Sequence, residues 1–133
     1  MRPGGSVYLV DTEARAFRVH PEEKVPALAK LGDQYVRFHA ARGNDLSVGL
    51  RLGDLLRAAG LEDVDHQGRY QIFTPPPGMR PPAWAAREQM LAEGMLTADD
   101  VRGCEAELEQ LDRGELSLTM FMPNFTASGR KPA

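Results

Sequence analysis

The densest collection of groups able to do chemistry is the stretch Tyr35-Val36-Arg37-Phe38-His39-Ala40-Ala41-Arg42-Gly43-Asn44-Asp45. It sets a phenol, an imidazole, guanidinium groups and a carboxamide close together. An imidazole exchanges a proton near neutral pH, which makes His39 the group to watch in this cluster. Tyr35, Arg42 and Asn44 are of the kinds that orient a small polar substrate in a pocket. The plainer alternative is an amphipathic helix with a solvated polar face running into a capped loop. Elsewhere the chemistry is thin. Cys104 falls on the apolar face of an expected helix with no histidine near it in sequence, so it reads as a buried structural thiol. His20, His39 and His66 are too scattered to show metal-ligand spacing. Neither phosphate-binding motif, G-x-G-x-x-G or G-x-x-x-x-G-K-[ST], occurs, and G-x-S-x-G is also missing. The run Glu105-Ala106-Glu107-Leu108-Glu109 reads as a solvated helix face.

The elements that must position these residues belong to a chain of 133 residues, 42% hydrophobic and 26% charged. That is the size and composition of one globular domain, expected over 1–133. A net charge of −3 argues against a surface built to grip nucleic-acid phosphates. No apolar run approaches the roughly 18–20 residues of a membrane span. The opening Met1-Arg2-Pro3-Gly4-Gly5 lacks the apolar stretch of a secretory signal. A single cysteine excludes an internal disulfide framework. The expectation is a cytoplasmic protein with no nucleic-acid and no membrane partner.

Ser6-Val7-Tyr8-Leu9-Val10-Asp11, apolar at four successive positions, predicts a strand buried on both faces with neighbours on both edges. Residues 12–28 give no clear pattern. Leu28, Leu31, Tyr35 and Phe38 then recur at helical spacing over 27–41. Val48, Leu52, Leu55, Leu56 and Ala59 predict the next helix, with Gly60 as its left-handed cap. Residues 62–74 alternate as a strand, with Gly68 marking a bulge or bend. Thr74 to Pro82 reads as stiff, extended chain. Two helices follow, one from Trp84 to Glu93 and one capped by Thr97 and closed by Gly114. The last strand runs from Leu116 to about Ser128, with Pro123 at an edge or a bulge, and 129–133 form a frayed tail.

Three stretches resemble the C-terminal half of a class I S-adenosylmethionine-dependent methyltransferase of the kind acting on small molecules. Arg2-Pro3-Gly4-Gly5-Ser6-Val7-Tyr8-Leu9-Val10-Asp11 is similar to the turn that leads into the family's fifth strand. Leu52 to Leu61, with its "L-L-x-x-A-G-L" ending, is similar to the following helix. Leu118 to Lys131 resembles the final antiparallel strand. The resemblance implies an α/β fold: a partial Rossmann-like sheet with one parallel-type strand, a helical segment, then a C-terminal antiparallel strand pair. The proline tract and two helices, 75–114, become an insertion.

The family's Gly-rich cofactor loop and ribose-gripping acid belong to a half this chain does not contain. The resemblance therefore implies S-adenosylmethionine binding only if the N-terminal half is supplied, and no cofactor for the isolated chain. It places Asp11 and Thr12 at the substrate-side end of their strand. His39, Tyr35, Arg42 and Asn44 then approach the substrate, where alignment is most of what methyl transfer requires, with His39 as the candidate catalytic base. The alternative is a stand-alone, non-catalytic ligand-binding or dimerising module derived from such an enzyme. Either way the apolar first strand calls for cover, by the missing half or by a second copy in a homodimer, paired directly or with exchanged elements.

Overall fold

The computed structural model describes residues 1–133 and resolves them into two compact units, each gathered from separated stretches. The first comprises Met1–Phe17, Asp45–Gln71 and Met122–Ala133; the second comprises Arg18–Asn44 and Ile72–Phe121. The secondary structure is α/β, with five helices and an open antiparallel sheet of four strands.

In the first unit, β1 (Ser6–Thr12) runs antiparallel to β4 (Thr119–Arg130), in a register from Ser6 opposite Arg130 to Thr12 opposite Asn124. β3 (Glu62–Phe73) also pairs with β4, so β4 lies between β1 and β3. The helix α2 (Leu52–Ala58), entered through a 3₁₀ turn at Val48–Arg51, covers one face. Leu52, Leu56 and Ala127 form its core with Val7, Leu9, Leu61, Val64 and Phe125. Gly60, at φ +82°, closes α2, and the Leu61 amide donates back to the Leu56 carbonyl at 3.1 Å.

β1 departs from expectation in three ways. It is not buried on both faces: Val7 and Leu9 join the α2 core, while Tyr8 and Val10 are 67% and 63% exposed. It has no neighbour on both edges, because β4 is its only partner. It is not a parallel-type strand in its hydrogen bonding, since β4 runs against it. β1 and β3 both oppose β4 and so point the same way, but they do not touch through a ladder. The physical reason is the two-residue period of a strand: a run of four apolar residues supplies two side chains to each face. Such a run is compatible with one covered face as well as with two.

The chain's end departs too. Gly129 and Arg130 are in β4, not in a frayed tail. The Lys131 amide donates to the Gly5 carbonyl at 2.8 Å, and Arg130 donates to Asp63 Oδ2 at 2.7 Å. Pro123 sits in this central strand between two registers: β1 pairs as far as Asn124, and β2 begins opposite Phe121. Its missing N–H therefore costs no ladder bond there.

In the second unit, β2 (Arg18–His20) pairs antiparallel with Thr119–Phe121. α1 (Pro26–Ala41) packs on α5 (Ala98–Asp112), α3 (Pro82–Ala85) and α4 (Arg87–Ala92). Leu31, Phe38, Ala83, Met90, Leu96 and Cys104 form the core. The expected two-helix insertion contains three helices, because the segment after the prolines divides at Ala86. Arg87 packs over the Trp84 ring and donates to the Trp84 carbonyl at 2.8 Å, at the junction of the two short helices. Thr97 caps α5 as expected, in a reciprocal pair with Asp100: the Asp100 amide donates to Thr97 Oγ1 at 3.1 Å and the Thr97 amide donates to Asp100 Oδ2 at 2.8 Å.

Candidate functional site

Tyr35, His39, Arg42 and Asn44 come together at the C-terminal end of α1, within the second unit. Helical spacing does this: residues three and four apart share a face. The Tyr35 and His39 rings meet edge-on at 4.5 Å between centroids, and Phe38 meets His39 the same way at 5.2 Å. The Arg42 guanidinium lies 3.5 Å from the centre of the Phe38 ring, donates to the Phe38 carbonyl at 3.1 Å and forms an ion pair with Glu93. Arg42 thus spends two of its donors on the protein's own acceptors and ties the helix end to Glu93. Asn44 grips His39 twice. Its backbone amide donates to the His39 carbonyl at 3.0 Å, and its side-chain Nδ2 donates to His39 Nδ1 at 2.8 Å.

That last bond sets the chemistry of the imidazole. An amide nitrogen only donates, so Nδ1 accepts and the proton of the neutral ring sits on Nε2. In this state His39 offers an N–H to a substrate oxygen. As a base it has to act through the nitrogen that Asn44 already occupies.

Asp11 and Thr12 lie in the first unit. Asp11 stands opposite Phe125 in the ladder and is half-buried. Thr12 Oγ1 donates to Asn124 Oδ1 at 2.8 Å, and Asn124 Nδ2 donates to Gln71 Oε1 at 3.0 Å. A polar chain thus crosses three strands, from the C-terminal end of β1 to that of β3. Beside it a depression of about 350 Å³ is lined by Gly68, Arg69, Tyr70, Pro123, Asn124 and Phe125. Phe125 forms one wall and is fixed from below, where Gly49 leaves room for its ring. Asn124, Gln71 and Tyr70 escape sequence reasoning. The one available signal is Pro123-Asn124, which interrupts the apolar alternation of the last strand.

Glu13, just past β1, is a buried carboxylate that accepts from the Arg15 amide at 3.2 Å and from Ser47 Oγ at 3.0 Å. His66 donates through Nε2 to the Gly49 carbonyl at 2.7 Å, tying β3 to the turn before α2. In the second unit Cys104 donates its thiol proton to the Ala27 carbonyl at 3.3 Å. Burial, and then the negative charges of Glu107, Asp100 and Glu105, push that thiol up to about 11. Such a group stays protonated and inert at neutral pH.

No helix is long and apolar enough to cross a membrane. No protein-family model and no curated protein sequence matches the chain.

Proposed function

We propose that the chain is the substrate-side portion of an S-adenosylmethionine-dependent methyltransferase for small molecules, silent in catalysis until a cofactor-binding half is supplied. One observation carries the reading. The segments that resemble the family's fifth strand, following helix and last strand are β1, α2 and β4, and they pack as one layer pair, with β3 on the other side of β4. An accidental likeness does not require these strands to share a sheet.

The residues present do not fit the cofactor. Gly43, Gly60, Gly94 and Gly114, all at positive φ, close helices, while Gly4 and Gly78 make turns. Only Gly78 lies between a strand and a helix, and its amide is already taken by Asp112, so it does not serve as the loop in which a nucleotide-like group is cradled. The turn leaving β1 instead carries the buried Glu13 carboxylate.

This chain's own contribution in the proposal is positioning. Thr12 and Asn124 present fixed polar groups at the end of β1, beside Asp11. Tyr35, His39, Arg42 and Asn44 form a second fixed group, with the His39 Nε2–H as a donor toward a substrate oxygen. The cytoplasm, where a lone thiol stays reduced, suits this role. The alternative reading is a non-catalytic ligand-binding or dimerising module. It is favoured by the presence of a separate apolar core in each unit, which lets the chain fold without a partner.

Titration with radiolabelled S-adenosylmethionine distinguishes the two. The chain alone is expected to bind none. Joined to the polypeptide encoded immediately upstream, it gains both binding and methyl transfer to a small acceptor. If the joined protein gains neither, the methyltransferase reading is lost and the module reading stands.

A further inference from the structure

The sheet margins in the first unit are treated unequally. β3 carries Glu62, Asp63, Asp65 and Arg69, with Asp63 at φ +53° near its start. Charges and local distortion of that kind discourage another strand from adding to an edge. β1 has none of these devices from Ser6 to Val10: no charge, no proline, and a register with β4 that skips no residue. Along its outer side the backbone amides and carbonyls face no partner strand. The face of β1 away from α2 also exposes Tyr8 and Val10. A seven-residue strand with an unguarded edge and exposed apolar side chains has the properties of an edge that is paired in solution.

We infer that the occupant is β1 of a second copy of this chain, added antiparallel about a two-fold axis through Leu9. The strand is self-complementary about that residue. Ser6 comes opposite the partner's Thr12 and Tyr8 opposite the partner's Val10 on the exposed face; on the α2 face Leu9 meets the partner's Leu9 and Val7 meets the partner's Asp11. Directly opposed residues in an antiparallel pair share a face, so a two-fold axis normal to the sheet keeps both α2 helices on one side. Hydroxyl–hydroxyl and aromatic–β-branched pairs are among the favourable cross-strand combinations, and symmetry supplies each of them twice. No carboxylate opposes a carboxylate in this register. The inference concerns the chain by itself: on the methyltransferase reading a joined cofactor-binding half would take this same edge in place of the second copy, and sedimentation of the isolated chain tests the dimer without testing that reading.

Sedimentation equilibrium of the full chain tests it. The expected mass at high micromolar concentration is twice 14.6 kDa. Two double variants, Tyr8→Lys with Val10→Lys and Tyr8→Glu with Val10→Glu, change only exposed side chains, and circular dichroism checks that each remains folded. Each alone sets like charges across the axis and is expected to associate more than about tenfold more weakly. Mixed in equal amounts they set lysines against glutamates and recover the dimer. A strictly monomeric wild-type chain overturns the inference. So does a dimer that both variants leave intact, or a mixture of folded variants that stays monomeric.

Discussion

Glu107 on α5 caps α1 through Ala27: its Oε1 accepts from the Ala27 amide at 2.9 Å, and Oε2 takes the adjacent Leu28 amide at 2.8 Å. α1 has no cap of its own, because Val25 stands at the N-cap position with no side-chain acceptor. The carboxylate also sits against the positive end of the helix dipole, so Glu107 is buried against α1 and not part of the solvated face expected for 105–109. Glu107→Ala is therefore expected to lower stability by about 1–3 kcal/mol, read by urea denaturation, since two amides lose a charged acceptor. Glu107→Gln, which keeps one acceptor oxygen, should fall between. An alanine variant as stable as the parent would show that water replaces the carboxylate at no cost.

How much of this was legible in sequence depended on whether the signal was local. The Thr97 cap, the Gly60 and Gly114 endings and the body of α1 rest on residues within a turn of one another, and they appear where the pattern puts them. β2 does not: Arg18-Val19-His20 is too short to show a period, and it is a strand because Thr119–Phe121 lies beside it. The Thr12–Asn124–Gln71 chain links residues 112 and 53 positions apart, so no window contains it. The apolar run in β1 looks alike for a strand with one covered face or with two, and the register with β4 decides between them. The cluster at Tyr35–Asn44 was visible as a set of groups. Its division of labour was not, because Glu93, which occupies Arg42, comes from α4's end.

Gly49 and Phe125 fit each other so closely that a Cβ added at Gly49 would lie 2.2 Å from the ring. Gly49→Ala should cost about 1–3 kcal/mol by overpacking. The cost should shrink when Phe125 is already leucine. A double-mutant cycle is expected to give a coupling above about 0.5 kcal/mol, and strict additivity would mean that the ring moves aside freely.

Asp112 anchors the proline tract. It accepts from Arg80 at 2.7 Å and 3.0 Å and from the Gly78 amide at 2.8 Å. The Arg80 hydrogen bond first, and the Gly78 amide second, lower its carboxyl from 3.8 to about 2. A depressed folded value means that the anchoring is complete above pH 3.8 and is lost as pH falls through about 2. Carboxyl resonances of Asp112 should titrate with that midpoint. Arg80→Gln should move it upward, though not fully, because the Gly78 amide remains. A midpoint unchanged in the variant would remove Arg80 as the main cause.

The His39–Asn44 bond makes a prediction about protons rather than stability. With Asn44 Nδ2 donating to Nδ1, nitrogen-15 chemical shifts of the neutral ring should show the Nε2–H tautomer in excess. Asn44→Asp replaces that donor with an acceptor, so the proton should transfer to Nδ1 and leave Nε2 with its lone pair outward. Asn44→Ala, which neither donates nor accepts, should give a mixture. The two substitutions thus separate what His39 does. If it works by donating to a substrate oxygen, a complete enzyme carrying Asn44→Asp loses kcat; if it works as a base through Nε2, the same variant gains. Finding Nδ1–H dominant in the unaltered chain would reverse the assignment and leave Nε2 as the nitrogen with the free lone pair.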